Sequence, residues 1–207
     1  NWEASSTQFT IGNSSSSTLL DGDAWRAALP RIVGAKRGLL VVGGGSSAAD
    51  SIAAASIAKT LGWAVAADAT SGMRVGASAR DDVHVVSMID YVLVEPKAHD
   101  ALRPDVVLQV GSRLTSKRLC QFLEASAIDH GAEWIVVEPT PNRLDAAHCV
   151  GVRVESSIGH AAKILEDALT RESGYDSSES KAACVAFAER AVAVGAAAAF
   201  YFKDQIE

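Results

Sequence analysis

Short apolar runs recur along the chain between residues 38 and 156, separated by longer stretches with a different periodicity. The runs are GLLVVGG (38–44), AVAADA (64–69), DVVLQVGS (105–112), EWIVVEP (133–139) and GVRVES (151–156). Strands that are apolar throughout are typical of parallel sheets, in which both faces are covered. The pattern therefore predicts five buried strands.

The intervals between these strands show helical spacing. The residues on one predicted helix face are Ala49, Ile52, Ala53, Ile57 and Leu61 in the first interval, and Leu119, Phe122, Leu123 and Ala127 in the third. A further helix, IGHAAKILEDAL, follows the last strand and ends near residue 169. Strand followed by helix, repeated, predicts an α/β fold: a doubly wound parallel sheet in a Rossmann-like domain.

Three segments follow from this pattern. Residues 1–30 are expected to form a Ser-rich and Thr-rich linker with a short helix that ends before Pro30, and residues 31–170 the central Rossmann-like domain. Residues 171–207 contain a polar break and an Ala-rich helix from Lys181 to Phe202. We expect this helix to lead into a missing C-terminal domain, which makes the chain a part of a longer protein.

Composition excludes several functional classes. The 207 residues carry a formal net charge of -6, which argues against a nucleic-acid surface. No stretch approaches the roughly 20 apolar residues of a membrane span, so no membrane contact is expected. The cysteines Cys120, Cys149 and Cys184 lack metal-ligand spacing, so we expect reduced thiols and no metal site.

A glycine-rich turn follows the first predicted strand and allows two interpretations. Gly43-x-Gly45-x-x-Ala48 matches the alanine form of the dinucleotide pattern, and Asp68 lies where such domains place the acidic residue that binds ribose. The alternative is structural: glycines serve a tight turn, and Ser47 with Asp50 caps the following helix.

A second candidate site lies in QVGSRLTSKRLCQFLEAS, after the third strand. With Thr115 as N-cap, Lys117 and Arg118 fall in the first helical turn, beside free amides and the positive end of the helix dipole. Two cations there oppose the local field unless an anion, a carboxylate or a phosphate, sits before them. The alternative is that Lys117 and Arg118 are solvated surface residues that bind no anion. Parallel sheets bind ligands at this edge.

The run PDVVLQVGSRLTSKR, followed by EWIVVEPTPNRLDAAHCVGVRVES, resembles the central domain of the 2-succinyl-5-enolpyruvyl-6-hydroxy-3-cyclohexene-1-carboxylate synthase (MenD) family, especially its plastid form fused into a larger protein. The resemblance covers about residues 30–170. It implies a thiamine-diphosphate transferase that decarboxylates 2-oxoglutarate and adds the product to isochorismate, in menaquinone or phylloquinone biosynthesis. It also implies that this domain has a nucleotide-binding fold but binds no nucleotide.

The resemblance implies roles for particular residues. Lys117 and Arg118 would hold a substrate carboxylate, with Ser71 and Arg74, after the second strand, as weaker substrate-binding candidates. Arg74 and Arg113 are the natural contacts of an effector or anion site. The alternatives are therefore a regulatory module that binds an effector, or one that binds FAD or NAD.

The resemblance also indicates what the chain lacks. The Mg²⁺ and diphosphate motif of thiamine enzymes is absent, since residues 22–24 read only Gly-Asp-Ala. We therefore expect no cofactor and no catalytic residue in this chain, which would be inert alone. Thiamine diphosphate and Mg²⁺ would belong to a parent enzyme with N- and C-terminal domains. That enzyme is expected to be a homo-oligomer in the chloroplast or, alternatively, the cytoplasm.

The motif NRLDAAH places Asp145 and His148 three residues apart. An acid-base pair or half a metal site is one interpretation. Pairing of Arg143 with Asp145 to fix the loop is the interpretation we favour.

Overall fold

The computed structural model describes residues 10–13, 22–45, 47–74, 82–140, 145–171 and 174–204. Its strands are β1 (Thr10–Asn13), β2 (Gly38–Val42), β3 (Ala64–Ala67), β4 (Val106–Val110), β5 (Glu133–Glu138) and β6 (Val152–Glu155). They form one sheet in the order β1-β6-β5-β4-β2-β3, and all neighbouring strands are parallel. The predicted parallel α/β fold is confirmed.

Seven helices accompany the sheet in the described part of the chain. They are α1 (Asp23–Gly34), α2 (Ala48–Leu61), α3 (Ile89–Val92), α4 (Pro96–Leu102), α5 (Lys117–Ile128), α6 (Ile158–Arg171) and α7 (Glu179–Asp204). Apolar side chains of α1, α2 and α6 pack on one face of the sheet, and those of α3, α4, α5 and α7 pack on the other. Because both faces are covered, β2, β3, β4 and β5 are buried along almost their whole length, as their composition predicts.

The strand order creates a crevice at one edge of the sheet. The connection from β2 leads to β3 on one side, whereas the connection from β3 returns to β4 on the other side of β2. Helices α2 and α5, which follow β2 and β4, therefore lie on opposite faces of the sheet, and such a switch point is where open α/β sheets bind ligands. Both glycine-rich and cation-bearing segments lie at this edge.

Two expectations for the first 34 residues are wrong in detail. Thr10–Asn13, expected within a linker, is a strand that pairs in parallel with β6. Helix α1 continues to Gly34 and contains Pro30. Proline within a helix costs about 3 kcal/mol. Here Trp25, Ala28 and Ile32 are buried on both sides of the proline, and this burial offsets the cost.

Helix α7 corrects the expectation that no segment is long and apolar enough for a membrane span. The stretch Glu179–Tyr201 meets that criterion by length and composition, with a mean hydropathy of 1.6 in its best window. Alanines, which count as apolar, produce this value. Phe187, Ala188 and Ala191 are buried in the core, so this part of α7 covers the sheet.

Candidate functional site

The start of α5 presents two cations at the carboxyl edge of the sheet. Helix α5 begins at Lys117, so Lys117 and Arg118 occupy its first two positions, and both are exposed. The N-cap is Ser116, not Thr115 as predicted: the Ser116 hydroxyl accepts a hydrogen bond from the Leu119 amide at 3.1 Å. Among the described residues, neither Lys117 nor Arg118 pairs with an acidic side chain. The helix dipole and both cations therefore favour an anion here.

Asp68 is fully buried and acts as an anchor for the loop before α5. Its carboxylate accepts hydrogen bonds from the Thr70 amide (3.0 Å) and hydroxyl (2.9 Å), the Thr115 amide (2.8 Å) and hydroxyl (2.8 Å), and the Ser116 amide (3.1 Å). Burial alone would raise the pKa of Asp68, but these bonds outweigh it and lower the pKa. All this bonding capacity serves the protein, which argues against a ribose contact.

The depressed pKa predicts a pH-dependent effect of Asp68→Asn. An amide offers one acceptor oxygen, so buried donors of Thr115 or Ser116 lose their partner, and we expect a loss of about 2 kcal/mol or more near pH 7. Because the folded-state pKa lies below the unfolded value of about 3.9, the carboxylate's stabilisation is complete above that value and is lost as pH falls. The difference between the proteins should shrink below about pH 4.

Urea unfolding from pH 7 to pH 3.5 measures this difference. Asp100→Asn is the control, since the Asp100 carboxylate is 74% exposed and pairs with Arg103 at 2.6 Å. If Asp68→Asn lowered the free energy of unfolding by the same amount at every pH in this range, the role of the Asp68 carboxylate in holding the loop before α5 would be contradicted.

Ser71 and Arg74 lie at the predicted edge, but their polar groups have protein partners. The Ser71 hydroxyl is buried and donates to the Asp68 carbonyl at 2.7 Å. The Arg74 guanidinium donates to Asp90 at 2.7 Å, and its Nε donates to the Ala67 carbonyl at 2.8 Å. Arg113 is exposed in the loop between β4 and α5. Arg74 is thus exposed but paired, whereas Lys117, Arg118 and Arg113 are exposed cations without an acidic partner among the described residues.

Gly43 of the glycine-rich turn packs directly against the loop after β4. A Cβ at Gly43 would lie 2.1 Å from the Ser112 carbonyl oxygen, and Gly111 has a φ of +83°. The Ser112 amide and hydroxyl both donate to the Gly44 carbonyl, at 2.9 and 3.1 Å. These glycines allow the loops after β2 and β4 to touch, which favours the structural interpretation.

The N-terminus of α2 is already satisfied by its own side chains. Ser47 and Asp50 form the predicted capping box: Asp50 accepts from the Ser47 amide at 2.9 Å, and Ser47 accepts from the Asp50 amide at 3.3 Å. The Asp50 carboxylate thus stands where a dinucleotide domain binds pyrophosphate, and it would repel such a group.

A cavity of about 370 Å³ opens at the switch point, lined mainly by residues 44–45, 111–112, 138–140 and 157–158. Asp50 and Thr70 complete its lining, whereas Lys117 and Arg118 do not contribute to it in the described part of the chain. The edge therefore carries two separate features, a cavity with carboxylates and a pair of exposed cations.

Glu138 and Arg153 form a buried ion pair that the sequence analysis missed. Both side chains are 5% exposed, and an Arg153 nitrogen donates to Glu138 at 2.9 Å and to the Thr140 carbonyl at 2.6 Å. The sequence signal for this pair was the presence of Glu138 in the apolar run EWIVVEP and of Arg153 in the apolar run GVRVES. The pair joins the carboxyl end of β5 to β6, and Glu138 lines the cavity.

Asp145, from the motif NRLDAAH, fixes the loop before β6. Asp145 accepts hydrogen bonds from the Cys149 and Val150 amides, each at 3.1 Å. Its expected partner Arg143 lies outside the described residues. Burial raises the pKa of Cys149 to about 11, and likewise that of Cys184 to about 11, so both thiols stay protonated near neutral pH.

The donor set at this edge does not suit Mg²⁺ and thiamine diphosphate. Among the described residues, no three His, Cys, Asp or Glu side chains are grouped so as to hold a metal ion. Asp50 caps a helix and would face a diphosphate with the wrong charge, and Glu138 is already paired with Arg153. These residues do not fit the cofactor.

Comparison with known proteins identifies the class. A family model described as "Middle domain of thiamine pyrophosphate" matches residues 1–192, so the chain belongs to the family of middle domains of thiamine pyrophosphate enzymes. It is 39% identical over 132 residues to the 2-succinyl-5-enolpyruvyl-6-hydroxy-3-cyclohexene-1-carboxylate synthase of Salinibacter ruber, covering 64% of this chain and 22% of the relative.

Two further relatives agree with this assignment. The chain is 38% identical over 129 residues to "Protein PHYLLO, chloroplastic" of Arabidopsis thaliana, covering 60% of this chain and 7% of the relative. It is 36% identical over 120 residues to the synthase of Listeria welshimeri, covering 55% and 20%. The matched region thus spans at most about a fifth of these relatives, in agreement with a single domain of a multidomain enzyme.

Proposed function

We propose that this chain is the central domain of a thiamine-diphosphate-dependent synthase that joins decarboxylated 2-oxoglutarate to isochorismate in phylloquinone or menaquinone biosynthesis. Thiamine diphosphate and Mg²⁺, which supply the decarboxylation and carbon-carbon bond chemistry, bind to other domains of the parent enzyme. The similarity to 2-succinyl-5-enolpyruvyl-6-hydroxy-3-cyclohexene-1-carboxylate synthases supports the reaction, and the chloroplastic relative supports a plastid location. The cytoplasm is the alternative location.

Lys117 and Arg118 carry the proposed role of this domain. They are exposed in the first turn of α5 and located at the edge where parallel sheets bind ligands. Arg118 provides a planar fork for a carboxylate, and Lys117 provides a point charge. The proposal assigns them one carboxylate of isochorismate or 2-oxoglutarate. Ser71 and Arg74 are weaker candidates for the same contact because protein groups already hold them.

The domain also has packing roles in this proposal. Its partners are the N- and C-terminal domains of the parent enzyme, which we expect to be a homo-oligomer. Phe200 and Tyr201, 76% and 61% exposed near the end of α7, are apolar surface available to such a neighbour.

A direct assay tests the proposal. The full-length protein, supplied with thiamine diphosphate and Mg²⁺, should consume 2-oxoglutarate and isochorismate, release carbon dioxide and form the coupled product, whereas residues 1–207 alone should be inactive. Omission of isochorismate should suppress product formation. A full-length protein that is loaded with cofactor yet does not turn over this substrate pair would contradict the proposal.

One alternative is a module that binds FAD or NAD at the glycine-rich turn, and another is a regulatory module that binds an effector through Arg74 and Arg113. The cavity of about 370 Å³, which Gly44 and Gly45 line, is the observation that favours the first; in the described part of the chain, neither arginine lines it. Asp50 in its lining disfavours the phosphates of a dinucleotide. A yellow colour or nucleotide absorbance in the purified protein would support binding of FAD or NAD.

A further inference from the structure

The cations at the start of α5 stand on a turn that is held by a different segment of the chain. Ser116, the residue before Lys117, accepts from the Leu119 amide and donates its own hydroxyl proton to the carboxylate of Asp90. Asp90 lies in the short helix α3, 26 residues earlier in the chain. The Ser116 hydroxyl therefore joins the N-cap of α5 to α3.

Asp90 is held on its other side by a cation. One oxygen of Asp90 accepts from Ser116, and the other accepts from Arg74 at 2.7 Å. Arg74 in turn donates through Nε to the carbonyl of Ala67, the last residue of β3, at 2.8 Å. A continuous series of hydrogen bonds thus connects the end of β3, at the edge of the sheet, with the first turn of α5.

The negative charge of Asp90 needs the cationic partner Arg74 if an anion is to bind at the start of α5. An unpaired carboxylate beside the N-cap of α5 would compete with an incoming anion for Lys117 and Arg118 and for the positive end of the helix. Pairing with Arg74 neutralises Asp90 locally and fixes its direction. Lys117 and Arg118 then remain available to the ligand.

The ion pair between Arg74 and Asp90 is too exposed to contribute much to the overall stability of the fold. The side chains of Arg74 and Asp90 are 40% and 29% exposed, and ion pairs exposed to this degree contribute little to folding. The effect of breaking this one should therefore appear mainly in the position of the α5 first turn.

We infer that Asp90, held by Arg74, is a positioning residue that acts through Ser116 to fix Lys117 and Arg118 for substrate binding. This inference rests on the proposed function, since it needs a substrate carboxylate at Lys117 and Arg118. It adds a specific device: Asp90, neutralised by Arg74, orients the cations through Ser116 without itself contacting the substrate.

The test uses the full-length enzyme and Asp90→Asn. Arg118→Ala first identifies which of the two substrates has its KM raised. For that substrate, Asp90→Asn should raise KM roughly five- to tenfold and leave kcat within about twofold, since binding geometry changes while the cofactor's chemistry does not. Amide hydrogen exchange of residues 116–119 should become faster. Asp100→Asn, which breaks a comparable ion pair on α4, should change neither quantity.

Two further variants separate positioning from a structural role. In the Arg118→Ala background, Asp90→Asn should have no additional effect on KM, because the group that it orients is gone. Ser116→Ala should raise the same KM, and Ser116→Thr, which keeps a hydroxyl for both hydrogen bonds, should restore it.

The outcomes distinguish the two proposals. If Arg118→Ala raises KM and Asp90→Asn behaves like Asp100→Asn, the positioning inference is overturned and the proposed function stands. An effect of Asp90→Asn on melting temperature alone, or an undiminished KM effect in the Arg118→Ala background, also overturns it. If Arg118→Ala leaves both KM values unchanged, the carboxylate assignment fails, and the inference fails with it.

Discussion

Replacement of Arg118 by alanine in the full-length enzyme should lower kcat/KM roughly ten- to hundredfold for the substrate whose carboxylate it holds. A hydrogen bond to a charged group contributes about 1.5 to 3 kcal/mol, which corresponds to this range. Arg118 is exposed on α5 and has no acidic partner among the described residues, so its loss should leave the fold intact. Steady-state kinetics with each substrate varied in turn measures the effect.

Two variants make this result specific. Arg118→Lys should recover only part of the loss, because an ammonium cannot form the two parallel hydrogen bonds of a guanidinium. Arg171→Ala removes an exposed arginine from the last turn of α6 and should be without effect. The affinity for thiamine diphosphate should remain normal in all three. If Arg118→Ala kept kcat/KM within twofold of the parent enzyme's value for both substrates, Arg118 would be a solvated surface residue without a role in substrate binding.

The strands of this fold were predictable because parallel sheets have a strong compositional signal. All five apolar runs contain a strand, and the polar breaks between them fall in loops or helices. Strand β1 was missed because Thr10–Asn13 is short and polar and takes its pairing from β6 at the edge of the sheet. Pro30 misled the prediction of α1, since local propensity ignores the burial of Trp25 and Ile32 on either side.

The site was only partly predictable, since local sequence places residues on elements but does not reveal contacts across the chain. The position of Lys117 and Arg118 followed from strand and helix order alone. Asp68 looked like a ribose ligand by its distance from the glycines, yet it binds Thr115, 47 residues later. The role of Asp90 depends on Arg74 and Ser116, which lie 16 and 26 residues away. No periodicity in the sequence encodes such contacts.

The largest effect on stability is expected from breaking the buried pair of Glu138 and Arg153. Arg153→Met leaves the Glu138 carboxylate buried without its cation and the Thr140 carbonyl without its donor. Removing one partner of a buried ion pair costs about 3 to 5 kcal/mol, a large part of the stability of a domain of this size. The measurement is urea unfolding at neutral pH.

The double variant Glu138→Leu with Arg153→Met distinguishes loss of charge balance from loss of packing. Because desolvation of both charges is then avoided, the double variant should regain most of the stability lost by Arg153→Met. Arg103→Met, which breaks the exposed pair with Asp100, should cost less than about 1 kcal/mol. A double variant as unstable as Arg153→Met would mean that the ion pair itself, and not the uncompensated charge, stabilises the ends of β5 and β6.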